Sequence, residues 1–219
     1  MNPALLVAAF VVAGGAVVCV SARDDRIALG GLAATLIAAP FLADPLPGVL
    51  PLAARVVAAL LAAYLPWIVV REPGFITRGS LLGWPVEALV AAAAFVIGFG
   101  TAGLGAPALG PEEAQAAGFA MIALSVGPLV FGRDVFRSGA GAVLLLGGVV
   151  LVRSSLAGTP GPLEELVTSA LFVGLGGAVA FLISMAEAAG VAGGEVLIPS
   201  TTDPEPPAAT RRSSLGARR

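Results

Sequence analysis

The sequence predicts an all-α fold, a polytopic membrane helix bundle of about seven transmembrane helices. The first observation is composition, because 58% of the residues are hydrophobic and only 12% are charged. The second is a mean hydropathy of +0.97, which lies well outside the balance found in globular domains. The third is a pair of apolar runs, 138–157 and 166–185, joined by the polar turn 158–165. Each run is long enough to cross about 30 Å of hydrocarbon as a helix.

Apolar runs separated by polar or Gly/Pro-rich turns occupy residues 1–192, the predicted transmembrane domain. The predicted spans are 3–21, 27–43, 50–70, 81–103, 115–132, 138–157 and 166–187. No basic segment precedes the first run, which favours a retained helix over a signal peptide. Residues 193–219 are polar, Pro-rich and without periodicity, which is typical of a disordered tail.

The distribution of arginine predicts the orientation of the bundle, because basic residues near span ends collect on the cytoplasmic side. If the loops alternate sides, ten of the twelve Arg residues share one side, and only Arg55 and Arg153 lie on the other. The ten are Arg23, Arg26, Arg71, Arg78, Arg133, Arg137, Arg211, Arg212, Arg218 and Arg219. We therefore expect the N-terminus outside and the C-terminus, with its tail, in the cytoplasm.

Composition also excludes several kinds of chemistry. The chain has no His and a single Cys, Cys19, so imidazole metal or haem ligation and an intrachain disulfide are excluded. It has no phosphate-binding loop with Lys, dinucleotide fingerprint or Gly-x-Ser-x-Gly elbow with a His partner. We therefore predict no catalytic residue, cofactor or metal site.

Basic residues that are all Arg, with abundant Ala, Gly and Val, indicate a GC-rich bacterial genome and hence a bacterial cytoplasmic (inner) membrane.

Ionisable residues inside the spans are candidates for function, because a buried charge in a bilayer is costly unless it is paired or hydrated. Glu87, in the fourth span, is our candidate intramembrane charge. Its functional interpretation is a proton-accepting site or a partner for an Arg of a neighbouring subunit, and the alternative is an interfacial Glu reached by water. We expect Arg55 and Arg153 to extend to the outer headgroups and Glu187 to be a hydrated helix end.

Small residues in the sixth and seventh spans are candidates for helix packing, because they let helix backbones approach closely in a membrane. They are Gly139, Gly141, Gly147 and Gly148 in the sixth span and Gly174, Gly176 and Gly177 in the seventh. We expect these glycines to face each other in a tight antiparallel hairpin. The alternative is that an Ala/Gly-rich chain places small residues everywhere.

The segments 137–151 and 159–183 carry a family resemblance. Arg137 opens a Gly-rich helix, and the turn Pro162-Leu163 leads into a helix that contains Ala170-Leu171. This pair resembles the last two helices of a group that comprises the K subunit of respiratory complex I, the C subunit of Mrp-type cation/proton antiporters and the E component of membrane-bound hydrogenases. The small subunits of that group carry a membrane-embedded Glu in the first of these helices, whereas residues 141–148 here contain no carboxylate.

The resemblance implies a structural subunit that seals or braces an ion-translocating complex and has no redox centre of its own. Its partners are then the lipid bilayer and other membrane subunits, with no nucleic acid. The alternative function is a stand-alone small membrane transporter or scaffold. An inverted repeat would favour a transporter, and the seven spans show no obvious halves.

Overall fold

A computed structural model of the chain describes residues 2–70, 83–100, 110–132, 134–158 and 160–188, with only the backbone described at residue 187. Within these ranges the regular elements are α-helices and one 3₁₀ segment. The helices are α1 (Pro3–Ser21), α2 (Asp25–Ala38), α3 (Val49–Val70), α4 (Trp84–Gly100), α5 (Glu112–Phe131), α6 (Val135–Ala157) and α7 (Pro162–Ala188). The 3₁₀ segment, Ala39–Leu42, prolongs α2. The predicted all-α helix bundle is confirmed.

Six of these helices, counting α2 with its 3₁₀ extension, have the length and apolar composition to cross a membrane. The other, α4, is a shorter apolar helix of 17 residues and spans about 25 Å at 1.5 Å per residue. The fourth predicted span, 81–103, extends beyond the described residues at both ends. The predicted tail, 193–219, lies entirely outside them.

Several helices begin earlier than predicted because residues assigned to loops form their first turns. Predicted starts at 115, 138 and 166 are replaced by Glu112, Val135 and Pro162. Acidic residues in a first turn are favoured by the exposed N–H groups and dipole of the helix, as at Glu112 and Glu113. Proline is likewise favoured in the first turn, because its missing N–H has no role there. Loop-like composition therefore coincides with the starts of α5 and α7.

Neighbouring helices follow the order α1, α2, α3, α7, α6, α5, α4 and back to α1, with α5 also contacting α1. The residues from Glu113 to Gly118 are all buried, so the start of α5 is enclosed on every face.

Helices α1, α3, α5 and α7 end on the same side of the bundle, which we call the Arg137 end. We call the opposite side the Arg55 end. The chain alternates between these ends, and α3 and α7 are parallel neighbours.

Close backbone approaches hold the bundle together. On α1 and α2, a β-carbon added to Gly31 would lie 2.6 Å from the Gly15 carbonyl oxygen. On α5 and α6, a β-carbon added to Gly148 would lie 2.8 Å from the Gly118 carbonyl oxygen. Both crossings therefore require residues without side chains, and dispersion between tightly packed backbones stabilises them.

Candidate functional site

A buried ion pair joins the second turn of α3 to the first turn of α7 at the Arg55 end. Nη1 of Arg55 donates to both carboxylate oxygens of Glu165, at 3.0 Å each, and the two residues are 8% and 3% exposed. The guanidinium carbon also lies 5.9 Å from the centroid of the Phe172 ring, within cation–π range. The prediction that Arg55 extends to the headgroups is therefore wrong, because an intramolecular carboxylate binds it.

The neighbouring carboxylate of α7 binds the opposite helix. Nη2 of Arg153, on α6, lies 2.6 Å from an oxygen of Glu164. These side chains are 44% and 38% exposed, so solvent and ions screen the pair far more than the Arg55–Glu165 pair. Consecutive residues of α7 thus connect it to both of its neighbours, α3 and α6. Both arginines of the Arg55 end are matched by carboxylates.

At the Arg137 end, the guanidinium of Arg137 caps α1. Nη1 donates to the Val20 carbonyl oxygen and Nη2 to the Ala22 carbonyl oxygen, each at 2.6 Å. The last carbonyl groups of a helix have no partner within the helix and carry its negative dipole end. A cation at this position therefore satisfies two acceptors and ties the start of α6 to the end of α1.

Two buried aspartates interact with each other at this end of the bundle. Asp134 precedes α6 and accepts a hydrogen bond from the Phe136 N–H at 3.0 Å, so it is the N-cap of that helix. Asp25 begins α2 and is also buried. Burial raises the pKa of Asp134 to about 6, the Phe136 N–H lowers it, Asp25 raises it and Arg137 lowers it. This junction of α1, α2 and α6 was not identified from the sequence.

Between the two ends, apolar side chains pack together at the middle of α6. Side chains from three helices converge on Gly147 of α6. A β-carbon added there would lie 2.6 Å from Met121 Cε, 3.8 Å from Phe172 Cζ and 3.9 Å from Leu36 Cδ2. All three side chains are buried. Apolar groups from α2, α5 and α7 thus surround the position that a side chain at residue 147 would occupy.

Hydroxyl groups near this centre are engaged with the backbone. The Thr35 hydroxyl donates to the Gly31 carbonyl at 2.9 Å and lies 3.2 Å from the Val12 carbonyl. The Ser125 hydroxyl donates to the Ile122 carbonyl at 2.6 Å.

Within the described residues every charged side chain lies within about two helical turns of a helix end. This part of the chain therefore has no charged group at mid-helix depth.

Glu87 lies in the first turn of α4 and is 5% exposed. It is closer to its helix end than predicted, because α4 begins at Trp84 rather than at residue 81. Gly83, whose φ is +81°, precedes the helix, and Pro85 supplies a residue suited to the first turn. The proton-accepting and subunit-pairing interpretations of Glu87 stay predictions. The side chain of Glu187 lies outside the described atoms.

The candidate packing glycines are distributed over three different interfaces. Gly139 faces Val179 of α7, whereas Gly141 and Gly148 face α5, and Gly147 faces the packed centre. On α7, Gly176 faces Ala62 of α3, Gly177 is in ordinary contact with Leu65, and Gly174 faces open space. The prediction that the glycines of α6 and α7 face each other is wrong, because α6 packs mainly on α5 and α7 packs mainly on α3.

A signal for the buried ion pair was present in the sequence. Arg55 lies between apolar residues two turns into its helix, and Glu164-Glu165 begins another helix on the same predicted side. Opposite charges at similar depth on one side favour pairing over separate exposure. The identity of the neighbouring helices was missing, because nothing in the sequence indicates that α3 and α7 are adjacent.

Comparisons with protein-family models, with curated proteins and with solved structures found no match.

Proposed function

We propose that this chain is an integral membrane accessory subunit of an ion-translocating complex, with no redox centre of its own. The complex is of the NADH-quinone oxidoreductase-like, hydrogenase-like or cation/proton antiporter-like kind. The observation that carries the proposal is the apolar packing at mid-bundle, where Leu36, Met121 and Phe172 converge on Gly147. A carrier that works alone needs polar groups or an aqueous cavity near the bilayer centre. A sealing or bracing subunit needs neither.

The contacts of three arginines support the same proposal. Arg55, Arg153 and Arg137 contact carboxylates or helix-end carbonyls of the chain itself. These interactions fix helix ends, and they occupy groups that a transport path would have to keep available. The class of complex rests on the resemblance of segments 137–151 and 159–183 to the K, C and E components named above.

The proposed location is a bacterial cytoplasmic membrane, with the N-terminus outside and the C-terminus inside. Its support is the arginine distribution, ten residues against two. The two arginines on the proposed outer side, Arg55 and Arg153, are each paired with a glutamate. Accessibility of tags placed at each terminus, in intact cells and in inverted vesicles, tests this orientation. Both tags in one compartment would contradict it.

Affinity purification from native membranes tests the assembly. The chain, tagged at its C-terminus and extracted in a mild detergent, is expected to retain larger multi-span membrane subunits of an ion-translocating complex in fixed stoichiometry. A second multi-span protein with the same tag, expressed at the same level, is the control. Recovery of the chain as a single monodisperse species in every mild detergent would contradict the proposal. Genes for such large subunits are expected beside the gene for this chain.

Glu87 provides a test at one residue. Glu87→Gln keeps the size of the side chain and one acceptor oxygen but removes its charge. If Glu87 accepts a proton or pairs with an Arg of a neighbouring subunit, the variant loses proton-linked activity of the complex or retains less of its partners. Glu112→Gln, at an exposed position in the first turn of α5, is the matched control. Unchanged activity and unchanged assembly in Glu87→Gln would exclude both interpretations.

A further inference from the structure

The junction of α1, α2 and α6 contains more polar capacity than its own contacts use. Arg137 employs Nη1 and Nη2 on the carbonyl oxygens of Val20 and Ala22. Asp134 employs one carboxylate oxygen, Oδ1, on the Phe136 N–H. Both side chains are more than nine-tenths buried, so their remaining polar atoms are removed from solvent.

Two of these remaining atoms have no hydrogen-bond partner in the described chain. They are Oδ2 of Asp134, an acceptor, and Nε of Arg137, a donor. The residues lie three positions apart at the start of α6 and so share one face of that helix. A buried carboxylate oxygen without a partner is costly, and binding a proton removes its charge.

Charged groups on two helices act on the carboxylate of Asp134. Asp25 of α2 and Arg137 of α6 are the described charged groups that act on it, and the thiol of Cys19, on α1, lies within the field of Arg137. Arg23, Asp24 and Arg26 are exposed on the connecting turn. Asp25 is thus a negatively charged neighbour of Asp134, and Arg137 is a positively charged one. Like-charged neighbours favour uptake of a proton by one of them.

We propose that Asp134, flanked by Asp25 and Arg137, is a binding site for one proton at the Arg137 end of the bundle. The proton comes from water and forms an O–H bond at Oδ2, because Oδ1 already accepts the Phe136 N–H. No other bond forms or breaks, and the side chain of Asp134 changes from negatively charged to neutral. Because the carboxylates of Asp25 and Asp134 interact, the proton is taken up by the pair and is bound mainly at Asp134.

Infrared difference spectroscopy of the full chain in detergent micelles tests this site, because a protonated carboxyl group has a carbonyl stretch separate from that of a carboxylate. Spectra are recorded across a pH titration for wild type, Asp134→Asn, Asp25→Asn and Asp24→Asn. Asparagine is as good an N-cap as aspartate, so Asp134→Asn retains the hydrogen bond to Phe136. Asp24 is the N-cap of α2 and is exposed, which makes Asp24→Asn the matched control.

We expect a carboxyl band in wild type that titrates with a midpoint of about 6, disappears in Asp134→Asn and is unchanged in Asp24→Asn. Asp25→Asn lowers the midpoint, because it removes a neighbouring negative charge. If Asp134→Asn does not fold, the midpoint measured for Asp25→Asn tests the proposal by itself. A band that persists in folded Asp134→Asn, or a midpoint that does not move in Asp25→Asn, would overturn the proposal. The test uses the isolated chain and does not depend on the proposed assembly.

Discussion

Arg55 and Glu165, separated by 110 positions in the chain, form a bridge in which one guanidinium nitrogen contacts both carboxylate oxygens at 3.0 Å. The bridge joins two parallel helices that no short loop connects. It also holds the guanidinium over Phe172, and the ring of Phe172 reaches the packed centre at Gly147. The charged end of the bundle is thus linked to its apolar middle through one aromatic side chain.

Removal of one member of this bridge should be far more damaging than removal of the neighbouring carboxylate. Glu165→Gln leaves the buried Arg55 charge without its counterion, and such a loss costs about 3–5 kcal/mol. Glu164→Gln disrupts a pair that is largely exposed, so its cost should be under about 1 kcal/mol. Thermal unfolding of both variants in one detergent measures the difference. Equal stability of the two variants would show that burial does not strengthen the Arg55 bridge.

The α5–α6 crossing should be intolerant of a methyl group. Gly148→Ala places a β-carbon 2.8 Å from the Gly118 carbonyl oxygen, and relief requires the backbones to separate, at a cost of about 1–3 kcal/mol. Gly174→Ala, at a position with nothing within 4 Å, should be neutral or more stable by up to about 1 kcal/mol through helix propensity. Denaturation in a mixed-micelle titration compares them. A stable Gly148→Ala protein would contradict the described crossing.

Stability should depend on pH through Asp134. Burial, as the largest cause, raises its pKa from the ordinary 3.8 to about 6, so the folded chain binds a proton more tightly than the unfolded chain. The contribution is therefore fully present below pH 3.8 and is lost as pH rises through about 6. At about 1.36 kcal/mol per pKa unit, its size is on the order of 3 kcal/mol.

Asp134→Asn cannot titrate at this position, so its stability should lack this component. The measurement is the difference in unfolding temperature between wild type and Asp134→Asn at a series of pH values, which cancels the contributions of other carboxylates. We expect the difference to change between pH 4 and pH 6 and to be constant above about pH 7. A difference that is constant over the whole range would contradict the titration of Asp134 in the folded protein.

The helical fold and approximate helix positions were predictable because long apolar runs and the breaks between them are local properties of the sequence. The starts of α5 and α7 were misplaced because proline and acidic residues suit both loops and first helical turns. The partners of Gly141, Gly148 and Gly176 were not predictable, because spacing along one helix does not identify the helix it faces. The same missing adjacency hid Arg55–Glu165 and the junction formed by Asp25, Asp134 and Arg137.

We expect a bundle with this apolar centre not to translocate ions by itself, which is the central claim. Ion flux through proteoliposomes that contain only the purified chain tests it most directly, with a pH-sensitive and a Na⁺-sensitive dye enclosed in the vesicles. We predict proton and Na⁺ leak rates equal to those of protein-free liposomes under an imposed gradient and membrane potential. A flux that rises in proportion to the amount of reconstituted chain would contradict the claim and favour the stand-alone transporter.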